Sequence, residues 1–388
     1  MRIAISATML DARPSGLGMY TVKLIKALAA QATDQTTLIV FTAYPEAFEG
    51  CDVQVRKVLR WVQPRFGLFG KIVRFLWHQV VYPVRLLKEY PDVIYSATHH
   101  AVLWTRRPQV VTIHDLIPLK FPNQNRWMHR YFTSVLPRVL ARCARIITVS
   151  DSARQDVLQY YRVPPERVIA IHESYEDDGQ AHDERLTSSD GRPEAYFLVV
   201  GPSFPHKNVE RVLEAYAAVR ERTGRKLVVV GGRPDYLRTL RAKARALALG
   251  DAVVFAGYVA RDQLVELYAE ATALVFASLY EGFGIPALEA MACGCSVIAS
   301  NVSSLPEVCG DAAYYVDPQS VSSIADALCR LASDPALCAR LRQRGIERVR
   351  QFSWERAARQ TLDVLIDAAQ GRVESEVCRE VDAVTPSR

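Results

Sequence analysis

Residues 273–300 read ALVFASLYEGFGIPALEAMACGCSVIAS. Two short apolar runs, ALVFAS and CSVIAS, flank a stretch with helical spacing from Ala287 to Cys293. Fully apolar runs of this length suit strands buried on both faces of a parallel sheet, with the helix as their crossover. Pro286 falls at a first helical turn, where its missing N–H would have no intrahelical acceptor anyway. Gly282 and Gly284 let the loop backbone come close to a ligand. The unit is strand, glycine loop, helix, strand, the repeating element of an α/β fold.

Outward from it the pattern repeats. YFLVVG (196–201), KLVVVGG (226–232) and AVVFAG (252–257) precede it, separated by helical stretches at 209–222, 236–248 and 261–269. In the first half, RIAISA (2–7), TLIVFTA (37–43), DVIYS (92–96), QVVTIHD (109–115) and ARIITVS (144–150) are of the same kind, with helical spacing over 21–30. Two such series predict two doubly wound domains, with ligand crevices at the carboxyl ends of the strands and a cleft where the domains face. After Tyr315 the spacing is helical over 321–332, 335–349 and 354–369, then aperiodic. The expected division is an N-terminal domain at 1–172, an acidic linker at 173–193 and a second domain at 194–350. A C-terminal helix at 351–370 and a flexible tail at 371–388 complete it.

The chain has 388 residues and a formal net charge of +6, unevenly spread. Residues 1–172 hold 23 Lys and Arg against 11 Asp and Glu, whereas 173–193 hold 2 against 7. Eight cysteines in so long a chain are not a disulfide framework. Cys293 and Cys295 read as small core residues, and a reducing cytoplasm is expected. The start MRIAISATML reads as a first strand rather than a signal peptide, and no apolar run is long enough for a spanning helix.

Four stretches suggest chemistry. Glu281 and Glu289 bracket the glycine loop and could bond two polyol groups of an extended ligand. The amides of Phe283, Gly284 and Ile285 open a helix, an arrangement that favours anions; the plainer alternative is one surface Glu and one capping Glu. In GPSFPHKN (201–208), Gly201 ends a strand and His206 and Lys207 precede a helix, where cations suit a phosphate. Asn208 is expected to cap that helix, and a solvated turn is the alternative. In VVTIHDLIP (110–118), His114 ends a buried strand as a candidate acid, base or hydrogen-bonding group, or as a structural histidine. PSGLGMY (14–20), placed between the first strand and the first helix, offers Gly16 and Gly18 but no third glycine for a dinucleotide fingerprint. There is no G-x-x-x-x-G-K-S/T, no G-x-S-x-G, no H-E-x-x-H and no D-x-D after a strand.

These motifs together resemble those of retaining glycosyltransferase family 4, of GT-B fold. SGLGMY is similar to its N-terminal glycine loop and TIHDLIP to its H-D-L segment. TVSDSARQDV (148–157) is similar to its V-S stretch. YFLVVGPSFPHKNVERVLEAY is similar to its basic pair before a helix, YEGFGIPALEA to its E-x7-E region, and SSLPEVCGDAAYYVDP to its closing segment. The resemblance implies two Rossmann-like domains facing a cleft, with the C-terminal helix crossing back to the first. It implies that Glu281 binds the donor hexose and Glu289 the ribose. Residues 282–285 and Gly201 would line the donor, Lys207 would neutralise the leaving diphosphate, and His114 would lie by the transferred sugar. Gly16 and Gly18 would lie by phosphate or acceptor. The family usually has Arg where this chain has His206; a charged His206, or Arg211, could make up the difference. No metal or other cofactor is expected. The pattern is most reminiscent of bacterial polysaccharide mannosyltransferases, with GDP-mannose as first donor and UDP-glucose second. A GT-B epimerase and a non-catalytic nucleotide-sugar-binding protein are the other readings.

Residues 56–88 hold eight Lys and Arg and no acid. Lys71, Arg74 and His78 share one helical face; Phe69, Ile72, Val73, Leu76 and Val80 share another. One reading lays this amphipathic segment on an anionic membrane; the other, taken as the expectation, packs the apolar face into the core and turns the basic face outward. There it would touch the inner membrane surface peripherally and meet a lipid-linked saccharide acceptor. Nucleic acid is not expected, since no recognition motif is present.

Overall fold

A computed structural model describes residues 1–12, 16–176 and 195–371. Most of the expected acidic linker, and the expected tail beyond 371, lie outside the described residues. The chain divides into two compact units, Met1–Glu173 with the segment from Ser353, and Ser174–Phe352.

The first unit is built on a seven-stranded sheet. Its strands are β1 (Arg2–Ala7), β2 (Thr37–Thr42), β3 (Gln54–Lys57), β4 (Val93–Ser96), β5 (Gln109–Ile113), β6 (Arg145–Thr148) and β7 (Val168–Ala170). They pair in parallel in the order β3-β2-β1-β4-β5-β6-β7. β4, β5 and β6 are buried at every position, as their unbroken apolar runs require. The edge strand β3, QVRK, gave no sequence signal because an edge can stay polar.

The second unit holds six parallel strands: β8 (Tyr196–Val200), β9 (Lys226–Val230), β10 (Val253–Gly257), β11 (Ala273–Phe276), β12 (Ser296–Ser300) and β13 (Ala313–Val316). Their order is β10-β9-β8-β11-β12-β13. In each sheet the order reverses once, between β1 and β4 and between β8 and β11. Such switch points open a crevice at the carboxyl ends of the strands.

The C-terminal helix Trp354–Gln370 belongs to the first unit. Ser353 caps it, accepting from the Arg356 amide at 3.1 Å. Its buried face, Ala357, Ala358, Thr361, Val364, Leu365 and Ala368, packs on the helix Gly16–Gln31 and on β4, β5 and β6. The helix Gly16–Gln31 starts five residues earlier than expected, so Gly16 and Gly18 lie in its first turn and not in a preceding loop.

The basic segment corrects an expectation outright. It forms a helix Gly67–Leu76, a π-helical turn Trp77–Val81 and a helix Tyr82–Glu89. Pro83 lacks an amide and its ring crowds the carbonyl of Gln79, which accounts for the widened turn. The face that is buried is Gly70, Arg74, Trp77, His78, Tyr82 and Leu86. The apolar face points outward: Phe69 is 57% exposed, Leu76 52% and Val80 61%. Anchoring comes from Trp77 and Tyr82, stacked at 4.7 Å, and from a close approach at Gly70, where a Cβ would lie 2.5 Å from the carbonyl oxygen of Gln63. Periodicity distinguished the two faces, but the large aromatics on the polar side decided which turned inward.

Candidate functional site

In the second unit, the loops after β8 and β11 meet at the switch point. Gly201 takes φ +67°, a turn that favours glycine, and the chain passes through a short 3-10 turn, Pro205–Lys207, into the helix Val209–Thr223. Lys207 Nζ donates to both carboxylate oxygens of Glu281, at 2.8 and 2.9 Å. An ammonium has three protons, so this pairing fixes both side chains and leaves one donor over.

Asn208 precedes the helix as expected but does not cap it. Its backbone is left-handed, φ +61°, which turns the side chain away from the first amides. Its Nδ2 instead donates to the carbonyls of Ala277 at 2.9 Å and Pro318 at 2.7 Å, stitching the loop to β11. Arg211 is part of the same brace, donating to Asn208 Oδ1 and to the Pro318 carbonyl. It is thus a structural fastener and does not replace the family's arginine. His206 does not either: it is buried, its ring stacks on Phe204, and burial pushes its pKa down to about 4. At neutral pH it is uncharged.

The glycine loop is held from β12. Ser303 Oγ accepts from the Glu281 amide at 3.0 Å, and Ser304 Oγ donates to the carbonyls of Glu281 and Phe283. Gly284 has φ +128°, a backbone conformation that strains any other residue, and a Cβ there would also push Leu305 Cδ2 aside. Phe283 packs edge-on against Phe352. The helix Ile285–Ala292 then begins with Pro286 in its first turn, and its opening amides lack intrahelical acceptors. Glu289, on that helix, accepts from Arg261 Nη1 at 2.6 Å and from the Tyr268 hydroxyl at 3.2 Å. Burial raises its pKa, and Arg261 and Tyr268 oppose the shift. Arg261 also donates to the Glu176 carbonyl. Sequence reasoning missed Arg261 and Tyr268; their signal was a helical spacing of seven that puts both on one face.

In the first unit His114 follows β5 directly and is buried. Its Nε2 donates to the Ala97 carbonyl at 3.0 Å, which leaves Nδ1 as an acceptor. Tyr20 packs edge-on at 4.4 Å, and its hydroxyl continues through Tyr95 to Thr112. Nδ1 lies 4.0 Å from Glu173 Oε2, an oxygen with no hydrogen-bond partner. Burial pushes His114 down to about 4 and Glu173 up to about 8, the latter helped by Asp115. The two are therefore a neutral pair at about pH 7. Glu173 was expected in the linker; it and Ser174 are buried instead. The structure brings Gly201, His206, Lys207, Glu281–Ile285 and Glu289 together in the second unit. His114, Gly16 and Gly18 belong to the first.

Comparison with known proteins adds to this geometry. Residues 184–348 match the family model described as glycosyl transferases group 1, and residues 14–177 match glycosyltransferase family 4. O-antigen chain mannosyltransferase B of Escherichia coli is 28% identical over 90% of this chain and 95% of the relative. O-antigen chain mannosyltransferase RfbU of Salmonella typhimurium is 29% identical over 83% and 89%. Among solved structures, sucrose-phosphate synthase of Thermosynechococcus elongatus aligns with a TM-score of 0.72 at 22% identity, over 99% of this chain and 100% of that one. Anabaena HepE in complex with UDP-glucose aligns with a TM-score of 0.69 at 17% identity, over 95% and 100%.

Proposed function

The chain belongs to glycosyltransferase family 4, has the GT-B fold and is a hexosyltransferase; from that membership we propose that it moves mannose from GDP-mannose to a lipid-linked saccharide in O-antigen or polysaccharide assembly. The observation that supports this most is the Lys207–Glu281 pair beside a helix start at the switch point of the second sheet. Glu281 accepts from the hexose hydroxyls. Lys207 turns its remaining proton to the diphosphate as charge builds on the leaving oxygen, and the amides of Gly284 and Ile285 share that charge. Glu289, oriented by Arg261 and Tyr268, takes the ribose. No residue role in this scheme requires a metal or other cofactor. Retention follows if the leaving phosphate deprotonates the acceptor on the face it departs from. His114, neutral and fixed by Ala97, is suited to be a hydrogen-bonding group and not a cation.

UDP-glucose is the second donor reading; Anabaena HepE, whose fold this chain shares, is solved in complex with it. A thermal-shift comparison separates the two, because a ligand that binds only the folded state raises its apparent stability. GDP-mannose should raise the melting temperature more than UDP-glucose or dTDP-glucose at equal concentration. A larger shift with UDP-glucose would transfer the assignment to that donor.

The acceptor reading includes a membrane. Among the described residues no helix is long and apolar enough to cross one. The outward face of residues 67–89 combines exposed Leu68, Phe69, Ile72, Leu76, Val80, Val84 and Leu87 with exposed Arg85 and Lys88. An apolar face of this kind, flanked by cations, suits the interface of an anionic bilayer.

A further inference from the structure

Arg74 is 2% exposed, and its Nε and Nη1 are buried without a hydrogen-bond partner. His99 Nε2 is buried and unpartnered in the same way. The groups around them form one cluster. His99 and His100 pack at 4.2 Å between ring centroids, His78 lies 5.9 Å from His100, and Tyr131 lies 5.7 Å from both His99 and His100. His78 is already committed: its Nδ1 donates to the Arg74 carbonyl and its Nε2 accepts from the Ser6 hydroxyl. Burial lowers the pKa of His78, His99 and His100, and the Arg74 charge adds to the lowering of each; among the described residues Arg74 has no ion-pair partner.

A buried guanidinium without a counter-charge is among the least stable arrangements a protein can keep, and arginine does not escape it by losing its proton near neutrality. This one sits at a particular place. Ser6 is near the carboxyl end of β1, and His99 and His100 follow β4, so the cluster occupies the switch point of the first sheet. That is where ligands bind in open α/β sheets. A guanidinium with two unpartnered N–H donors and an unpartnered ring nitrogen in one buried cluster match the oxygens of a phosphoryl group.

We propose that Arg74 and His99 bind a phosphoryl group of the acceptor, in a site of the first unit separate from the Lys207–Glu281 site. The identity of the ligand rests on the transferase reading; the existence of an anion site does not.

The test uses the Lys207→Ala chain, which removes the competing cation of the second unit, titrated calorimetrically with inorganic pyrophosphate and with geranyl diphosphate. Both should bind, and adding Arg74→Met should weaken both by about tenfold or more. Met has similar length and no charge, so the unliganded protein should melt no lower than before. Unchanged affinity in the double variant, or a lowered melting temperature with affinity kept, would overturn the site. Should Arg74→Met fail to fold, His99→Leu in the same background reads the same titration. Tighter binding of geranyl diphosphate supports a lipid-linked acceptor, and equal binding of the two overturns that source. The GDP-mannose shift of the Arg74→Met chain is read separately: its absence in the wild-type chain too would count against the donor reading, whatever the anion site does.

Discussion

Lys207 and Glu281 hold each other by two short hydrogen bonds while both remain mostly buried, so removing either leaves the other charged and unpaired. Lys207→Ala and Glu281→Ala should each lower turnover by about tenfold or more, with the fold intact by circular dichroism. Wild-type rates in both variants would dissociate this pair from the chemistry. Asn208 gives a different signature. Its two buried bonds brace the loop, so Asn208→Ala should cost about 2 kcal/mol of stability in denaturant titration. Lys207, Glu281 and Glu289 were legible because a charged residue beside glycine or proline at a strand end is conspicuous. Arg261, Tyr268 and Glu173 were not, since each reaches its place only through folding of a distant segment. The reading of Asn208 as a cap failed for a local reason: the rule assumes extended backbone at that position, and here it is left-handed.

At the scale of elements, the segment 67–89 is the instructive case. Its helical period was readable and its orientation was not, because amphipathicity gives two faces without saying which meets the protein. Burying Arg74 and His78 leaves at least seven large apolar side chains in water, each worth about 1.5–3 kcal/mol when fully buried. On the membrane reading, the chain should sediment with phosphatidylglycerol vesicles, and a Leu76→Asp, Val80→Asp double variant should be released. The same retention in both, or none in the wild type at any ionic strength, would remove the membrane from the account. The strands of both sheets were read nearly to the residue wherever both faces are buried. β3, β7 and β13 were missed; each is short and ends a sheet, where the apolar run that marks a strand is not needed.

At the scale of the molecule, buried histidines dominate the expected response to acid. Burial lowers the pKa of His78, His114 and His206 to about 4 and of His99 to about 3, and lowers that of His100 as well. A lowered folded-state value means stability that is present above the unfolded value of 6.5 and lost as pH falls toward 4. Glu173, Glu289 and Asp363 work the other way, since burial raises their values, but they are three groups against five. Unfolding near pH 5 should therefore take up protons, and the melting temperature should fall between about pH 6.5 and 4. A flat profile across that window would mean that these imidazoles are charged in the fold. The charge excess of residues 1–172 now has a distribution: part flanks an exposed apolar face, and Arg74 lies inside at the sheet's switch point.

On the proposed reading the chain transfers mannose from GDP-mannose using Lys207. Radiolabelled GDP-mannose, incubated with a prenyl-diphosphate-linked saccharide and the wild-type chain, tests it most directly. Label should appear in the lipid product, with the donor's anomeric configuration kept and the rate reduced about tenfold or more by Lys207→Ala. Label released only as free mannose, or equal transfer by the wild type and Lys207→Ala, would contradict it.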